Sequence, residues 1–148
     1  MKKLSAVLVL ACGLMVSGTA VAQKVKSSAV PPAVVAALKA KYPAASSITW
    51  EKEKANFEAN WGGKSGEDMS VVFTPAGALV EQVEAIAPSS LPAAALTYIK
   101  AHYSGAKPKE AGKVTDAAGK VTLEAELKGK AIVFDEKGNF VKEEKEND

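Results

Sequence analysis

The stretch Val72-Phe73-Thr74-Pro75-Ala76-Gly77-Ala78-Leu79-Val80 returns 61 residues later as Val133-Phe134-Asp135-Glu136-Lys137-Gly138-Asn139-Phe140-Val141. Each version has an apolar run ending in Phe, a Gly four residues on, and then a new apolar run. That is the pattern of two strands joined by a hairpin whose Gly supplies a positive φ. Working backwards, Val30-Pro31 with Leu38-Lys39-Ala40-Lys41-Tyr42 returns as Leu91-Pro92 with Ile99-Lys100-Ala101-His102-Tyr103, again shifted by 61. Between them, Phe57-Glu58-Ala59-Asn60-Trp61 matches Leu123-Glu124-Ala125-Glu126-Leu127 at a shift of 66. The second copy therefore gains about five residues before this strand and loses about five after it, which places the changes in loops. One supersecondary unit is used twice.

Each copy opens with a helix. Pro31-Pro32 and Pro92 suit a first helical turn, where a missing N–H costs nothing. Val34, Val35, Leu38 and Tyr42, and then Leu96, Ile99 and Tyr103, recur at spacings of three and four, and the remaining helical positions are mostly Ala and Lys. Pro43 and Ser104-Gly105 stop the two helices. After each helix the period becomes two. Ile48, Trp50 and Lys52 alternate with Thr49, Glu51 and Glu53, Phe57, Ala59 and Trp61 with Glu58 and Asn60, and Leu123, Ala125 and Leu127 with Glu124 and Glu126. Such strands have one apolar and one wet face. Val71–Phe73 and Ala131–Phe134 read as shorter apolar strands, each followed by a Gly turn and a last strand from Leu79 or Phe140. Further turns are expected at Asp116-Ala117-Ala118-Gly119 and Lys128-Gly129-Lys130. The expected fold is α+β: two tandem helix-plus-four-strand repeats, residues 30–85 and 86–148, sharing an antiparallel sheet of about eight strands. Both helices would lie on one face, leaving the other broad, polar and uncovered.

The N-terminus reads as an export signal over residues 1–22. Lys2 and Lys3 precede an apolar run from Leu4 to Val16, then Ser17-Gly18-Thr19 and the small-x-small site Ala20-Val21-Ala22. Cys12 sits in a loose lipobox, Val9-Leu10-Ala11-Cys12, which is the competing reading of the same segment. Leu10 is bulky for such a site, and the residues after the cysteine stay apolar. Cleavage after Ala22 takes the single Cys with it, which excludes disulfides and thiolate chemistry from the mature chain. Residues 23–29 are then an N-terminal extension. Of the 19 basic residues two lie in the signal, so 17 Lys face 17 acids and the exported chain is formally neutral. It contains no Arg. A neutral chain without bidentate phosphate readers is not expected to bind nucleic acid. No membrane span is expected once the signal is removed.

Laid out this way, the chain resembles the PepSY-like family, the group described as similar to β-lactamase inhibitor protein. The resemblance rests on Val30-Pro31 and Leu91-Pro92, Lys41-Tyr42-Pro43 with Ala44-Ala45, Ile48-Thr49-Trp50-Glu51, Phe57-Glu58-Ala59 and the two Phe-x-x-x-Gly turns, and it runs from Val30 to about Val141. It implies a periplasmic or secreted protein without catalysis, built of tandem α/β units that bind another protein on a sheet surface. The second copy departs from the pattern, with Ser104 for Pro43, Ala111 for Trp50 and Leu127 for Trp61. Inhibition of a β-lactamase does not follow, because the family name records a similarity of shape.

Several constellations have an ordinary structural account. His102 is the one histidine and matches Lys41, a solvated helix position, so a catalytic triad or a zinc site lacks its other members. Gly62-Gly63-Lys64-Ser65-Gly66 imitates a phosphate loop, but Glu58 stands where the Walker pattern needs Gly and a strand follows where it needs a helix. A flexible hairpin loop is the better account. Glu51 with Glu53, and Glu124 with Glu126, pair acids on open strands, where solvation and cross-strand Lys partners are expected and the cleft of a glycosidase is not. Trp50, Phe57 and Trp61 fall on the apolar side under the helix, although Trp61 directly precedes the Gly loop and Trp is a common interface anchor.

The expected activity is thus a non-catalytic exported binding module, inhibitor-like, acting on an unknown protein such as a secreted or envelope hydrolase. Its contact candidates are Glu51, Glu53, Glu58, Asn60, Trp61, Lys64 and Glu67, with no cofactor and no metal. The alternative is a small-molecule or ion-binding envelope protein with a pocket between helix and sheet or between repeats. An enzyme built around His102 ranks third.

Overall fold

The structure, a computed structural model, describes residues 23–145, so the expected signal segment and Cys12 lie outside the described residues. The elements run β1 (Gln23–Val25), α1 (Pro32–Lys41), β2 (Thr49–Glu53), β3 (Asn56–Trp61), β4 (Met69–Phe73), β5 (Leu79–Ile86), α2 (Ala93–His102), β6 (Glu110–Asp116), β7 (Val121–Leu127), β8 (Lys130–Asp135) and β9 (Phe140–Lys145). Single 3-10 turns, Ser27–Ala29 and Pro88–Ser90, lead into the helices. The sheet holds nine strands, hydrogen-bonded in the order in which they occur in the chain. Pairing is antiparallel through β1–β4 and through β6–β9.

The expected α+β class is found, with two helices, but the strand number is corrected from about eight to nine. The additional strand is β1, in the segment read as an extension. Its three residues, Gln-Lys-Val, are too few to show a period. Only the antiparallel register with β2, Gln23 opposite Lys52 and Val25 opposite Trp50, makes them a strand. The chain divides into two compact units, the first running to Glu81 and the second from Gln82, so the division falls inside β5. Each unit has the same internal order: 3-10 turn, helix, strands.

In the first unit Val34 and Leu38 of α1, four residues apart on one face, are buried against Trp50, Phe57, Ala59, Val71 and Phe73 from β2, β3 and β4. In the second, Ala95 and Ile99 of α2 do the same against Ala111, Leu123, Ala125, Leu127, Ile132 and Phe134. Ala95 is the residue that the apolar spacing missed, because Ala reads as neutral. It nevertheless fills the position equivalent to Val34 and is fully buried. Val30 and Leu91, each just before the N-cap Pro, are buried in the same clusters that take in Val35 and Leu96. That arrangement is a hydrophobic staple, and it sets the angle at which the chain enters each helix. This is the physical content of the Val-Pro and Leu-Pro pairs.

Three hairpins use one turn. Gly77 N–H donates to Thr74 O, Gly119 N–H to Asp116 O and Gly138 N–H to Asp135 O, at 2.9, 3.0 and 3.0 Å. The three glycines have φ of 84, 83 and 87°, the left-handed region that the turn requires. The side chain at the first position ties the turn down. Asp116 accepts from the N–H of Ala118 and Lys120, and Asp135 from those of Lys137 and Asn139. The Asn139 side-chain amide, followed by these backbone donors, holds the Asp135 carboxyl below its usual range. Its contribution to stability is therefore present above that range and is lost as pH falls through the lowered value.

Gly77 and Gly138 also abut their helices. A Cβ on Gly77 would stand 2.7 Å from Ala33 O, and one on Gly138 would stand 2.8 Å from Ala95 N and 2.9 Å from Pro92 Cβ. The Phe-x-x-x-Gly motif is thus a core anchor plus a turn that docks on the first turn of the helix of its own unit.

Candidate functional site

Strand register puts Glu51, Glu53, Glu58 and Asn60 on the sheet face away from the core cluster, whereas Trp61 packs against that cluster. Glu51 on β2 stands opposite Glu58 on β3, Asn60 opposite both Thr49 and Ser70, and Glu58 opposite Val72 on β4. On the outer side Lys24 of β1 faces Glu51. The loop 62–68 joins β3 to β4, with Gly62, Gly63 and Gly66 all at positive φ and the Asp68 carboxyl packed over Gly63, in the space a Cβ would take.

The centre of this face is closed, which corrects the expectation of an uncovered polar surface. Glu58 is 4%, Asn60 6%, Ser70 4% and Val72 1% exposed. A mid-strand side chain is shaded by its two cross-strand neighbours and by its own i±2 neighbours, so alternation marks a face as polar without making it wet. Around this centre Glu51, Glu53 and Glu67 are half-buried, and Lys64 is exposed. Trp50 lies in the core, while Trp61 sits at its edge with its ring 5.1 Å from that of Tyr42.

Glu58 is the most perturbed acid of the site. Its Oε1 accepts a short hydrogen bond from the Ser70 hydroxyl. Burial, reinforced by the negative charges of Glu51, Glu53 and Glu67 and opposed by the Ser70 hydrogen bond, pushes its carboxyl up to about 7. Burial also raises Glu53, with Lys54 opposing and Glu51 reinforcing. Glu67 Oε2 is buried with no hydrogen-bond partner among the described residues. The expected cross-strand Lys exists for Glu51, as Lys24, whereas Glu58 has a second acid opposite it.

The equivalent face of the second unit has a different centre. Ala131 and Val133, at 1% and 3% exposure, replace Ser70 and Val72, and Glu124 replaces Glu58. Glu110 stands opposite Glu126. An aromatic group that the sequence reading passed over lies on the helix side. Tyr98 stacks between His102, 4.1 Å between ring centroids, and Phe140, 4.8 Å. Tyr103 donates to Glu143, which also pairs with Lys130. The i, i+4 spacing of Tyr98 and His102 was the available signal. His102 is an exposed helix residue held by ring stacking. Among the described residues no three His, Cys, Asp or Glu side chains form a metal-binding group.

A family profile described as "Putative beta-lactamase-inhibitor-like, PepSY-like" matches the chain twice, over residues 18–81 and 69–142. The chain belongs to this PepSY-like family. It is similar to a crystal structure from Bacteroides eggerthii described as "putative periplasmic proteins", with 24% identity, TM-score 0.69, and 78% of this chain and 88% of that one covered. A BLIP-like protein from Bacteroides fragilis is similar at 22% identity and TM-score 0.62, with 78% and 86% covered. At these identities the two structures establish the fold alone. No curated protein matches the chain.

Proposed function

We propose that this chain is an exported, non-catalytic binding module of the periplasm that docks on another protein, a secreted or envelope hydrolase, through the outer sheet face of its first unit. The observation that carries this reading is a dry centre, Glu58 hydrogen-bonded to Ser70 beside Asn60 and Val72, with half-buried Glu51, Glu53 and Glu67 and exposed Lys64 around it. Pre-ordered polar groups bind with little further ordering cost. The family description and the periplasmic description of the B. eggerthii protein support the class and the compartment. Among the described residues no helix is long and apolar enough to cross a membrane.

Immobilised residues 23–148 should retain a hydrolase from envelope extract, and the purified hydrolase should bind in solution. The double reversal Glu51→Lys, Glu53→Lys should weaken binding by about tenfold or more, mainly through faster dissociation and lost steering. Failure to retain any protein reproducibly, or equal binding by the reversed variant, sinks the reading.

A further inference from the structure

Glu58 has a property that a binding face does not require: a buried carboxyl at mid-strand with no cation beside it on its face among the described residues. From β2 the groups on its face are Glu51, directly opposite, and Glu53, diagonal to it. β4 presents only Ser70 and Val72. From the loop, Glu67 bears on it, with Lys64 and Asp68 exposed. Lys24 is one strand removed, opposite Glu51. Lys52 lies over the Phe57 ring, in the alternate set of strand positions that carries the core residues, and Lys54 acts on Glu53 in the β2–β3 turn. The second unit keeps the acid, Glu124, but has Ala131 in place of Ser70.

We propose that Glu58 and Ser70 form a proton-operated latch: the neutral carboxyl keeps the β3–β4 face closed, and ionisation of Glu58 opens it. The pair is compatible with the neutral state because a carboxylic acid and a hydroxyl can each donate and accept. Ionisation places an unpaired charge in a dry site facing three further acids, which opening to water relieves. The latch acts whether or not the outer face binds a partner. It makes the first unit tightest in mild acid and looser above neutrality.

Native-state amide hydrogen exchange on residues 23–148, corrected for intrinsic rates, tests this. Protection of Phe57–Asn60 and Ser70–Val72 should fall about thirtyfold between pH 5.5 and 8.5 for a carboxyl that titrates near 7 in the closed state. Protection of Ile132–Phe134 in the second unit should change far less. Glu58→Gln should abolish the fall, and Ser70→Ala, which removes the hydrogen bond that favours the charged form, should keep the fall with a higher midpoint. Should Glu58→Gln not fold, carbon-13 titration of the Glu58 carboxyl in the unaltered chain decides. A midpoint near neutrality supports the latch, and one in the ordinary carboxylate range overturns it. Flat protection in the unaltered chain, or an undiminished fall in Glu58→Gln, also overturns it.

Discussion

Replacing Gly138 with alanine is expected to destabilise the protein by about 2–4 kcal/mol, against about 1 kcal/mol for the same change at Gly119. The two glycines occupy the same turn at nearly the same φ, 87 and 83°. Strain from a left-handed alanine is therefore common to both. They differ in what a new methyl would meet: the Gly138 Cβ falls 2.8 Å from Ala95 N and 2.9 Å from Pro92 Cβ, while that of Gly119 meets nothing within 4 Å. Backbone at the first turn of α2 cannot swing aside as a flexible side-chain tip can, so the turn or the helix must shift. Gly77→Ala, aimed at Ala33 O at 2.7 Å, should behave like Gly138→Ala. Denaturant melts of the three variants check this, and equal losses at all three sites would mean that turn-to-helix docking contributes little.

Phe134→Ala is expected to cost about 3–5 kcal/mol, and Phe73→Ala a similar amount. Both rings are almost wholly buried, at 0% and 1% exposure, in the clusters beneath α2 and α1. Phe134 has the additional edge contact with Tyr98, centroids 5.8 Å apart at 80°. That contact links the core to the surface stack of His102 and Phe140, so its loss should also loosen the stack. The check is chemical denaturation with exchange on Ile132–Phe134 or Val71–Phe73. A loss under 1 kcal/mol in either variant would show that the cavity collapses and that the Phe is not the anchor its position in the motif indicates.

The two units differ in the aromatic residues of their cores and in the polar residues of their outer faces. Trp50 is core, so its replacement by Ala111 in the second unit is a packing exchange within equivalent clusters. Trp61, at the margin of the first core with its ring tilted 57° against that of Tyr42, is replaced by Leu127, a core residue of the second unit. Of the polar centre of Glu58, Asn60 and Ser70, the second unit keeps acids, Glu124 and Glu126, and has Ala131 in place of the hydroxyl.

From its letters alone this chain declared a duplicated unit, its helices, its hairpin glycines and which strand positions pack inward. All of these are local: a period of 3.6 or 2, a missing N–H or a positive φ is set by neighbours a few residues away. Three things depended on the tertiary structure. β1 has no period of its own and exists through its register with β2. Ala95 is core because α2 lies over the sheet of its unit there, which its small side chain does not announce. The polar face is dry at its centre because side chains converge on Glu58 from the strands on either side, Glu51 and Glu53 from β2 and Ser70 and Val72 from β4. Alternation tells which side a residue faces. How much water remains there is decided by what stands across the strands.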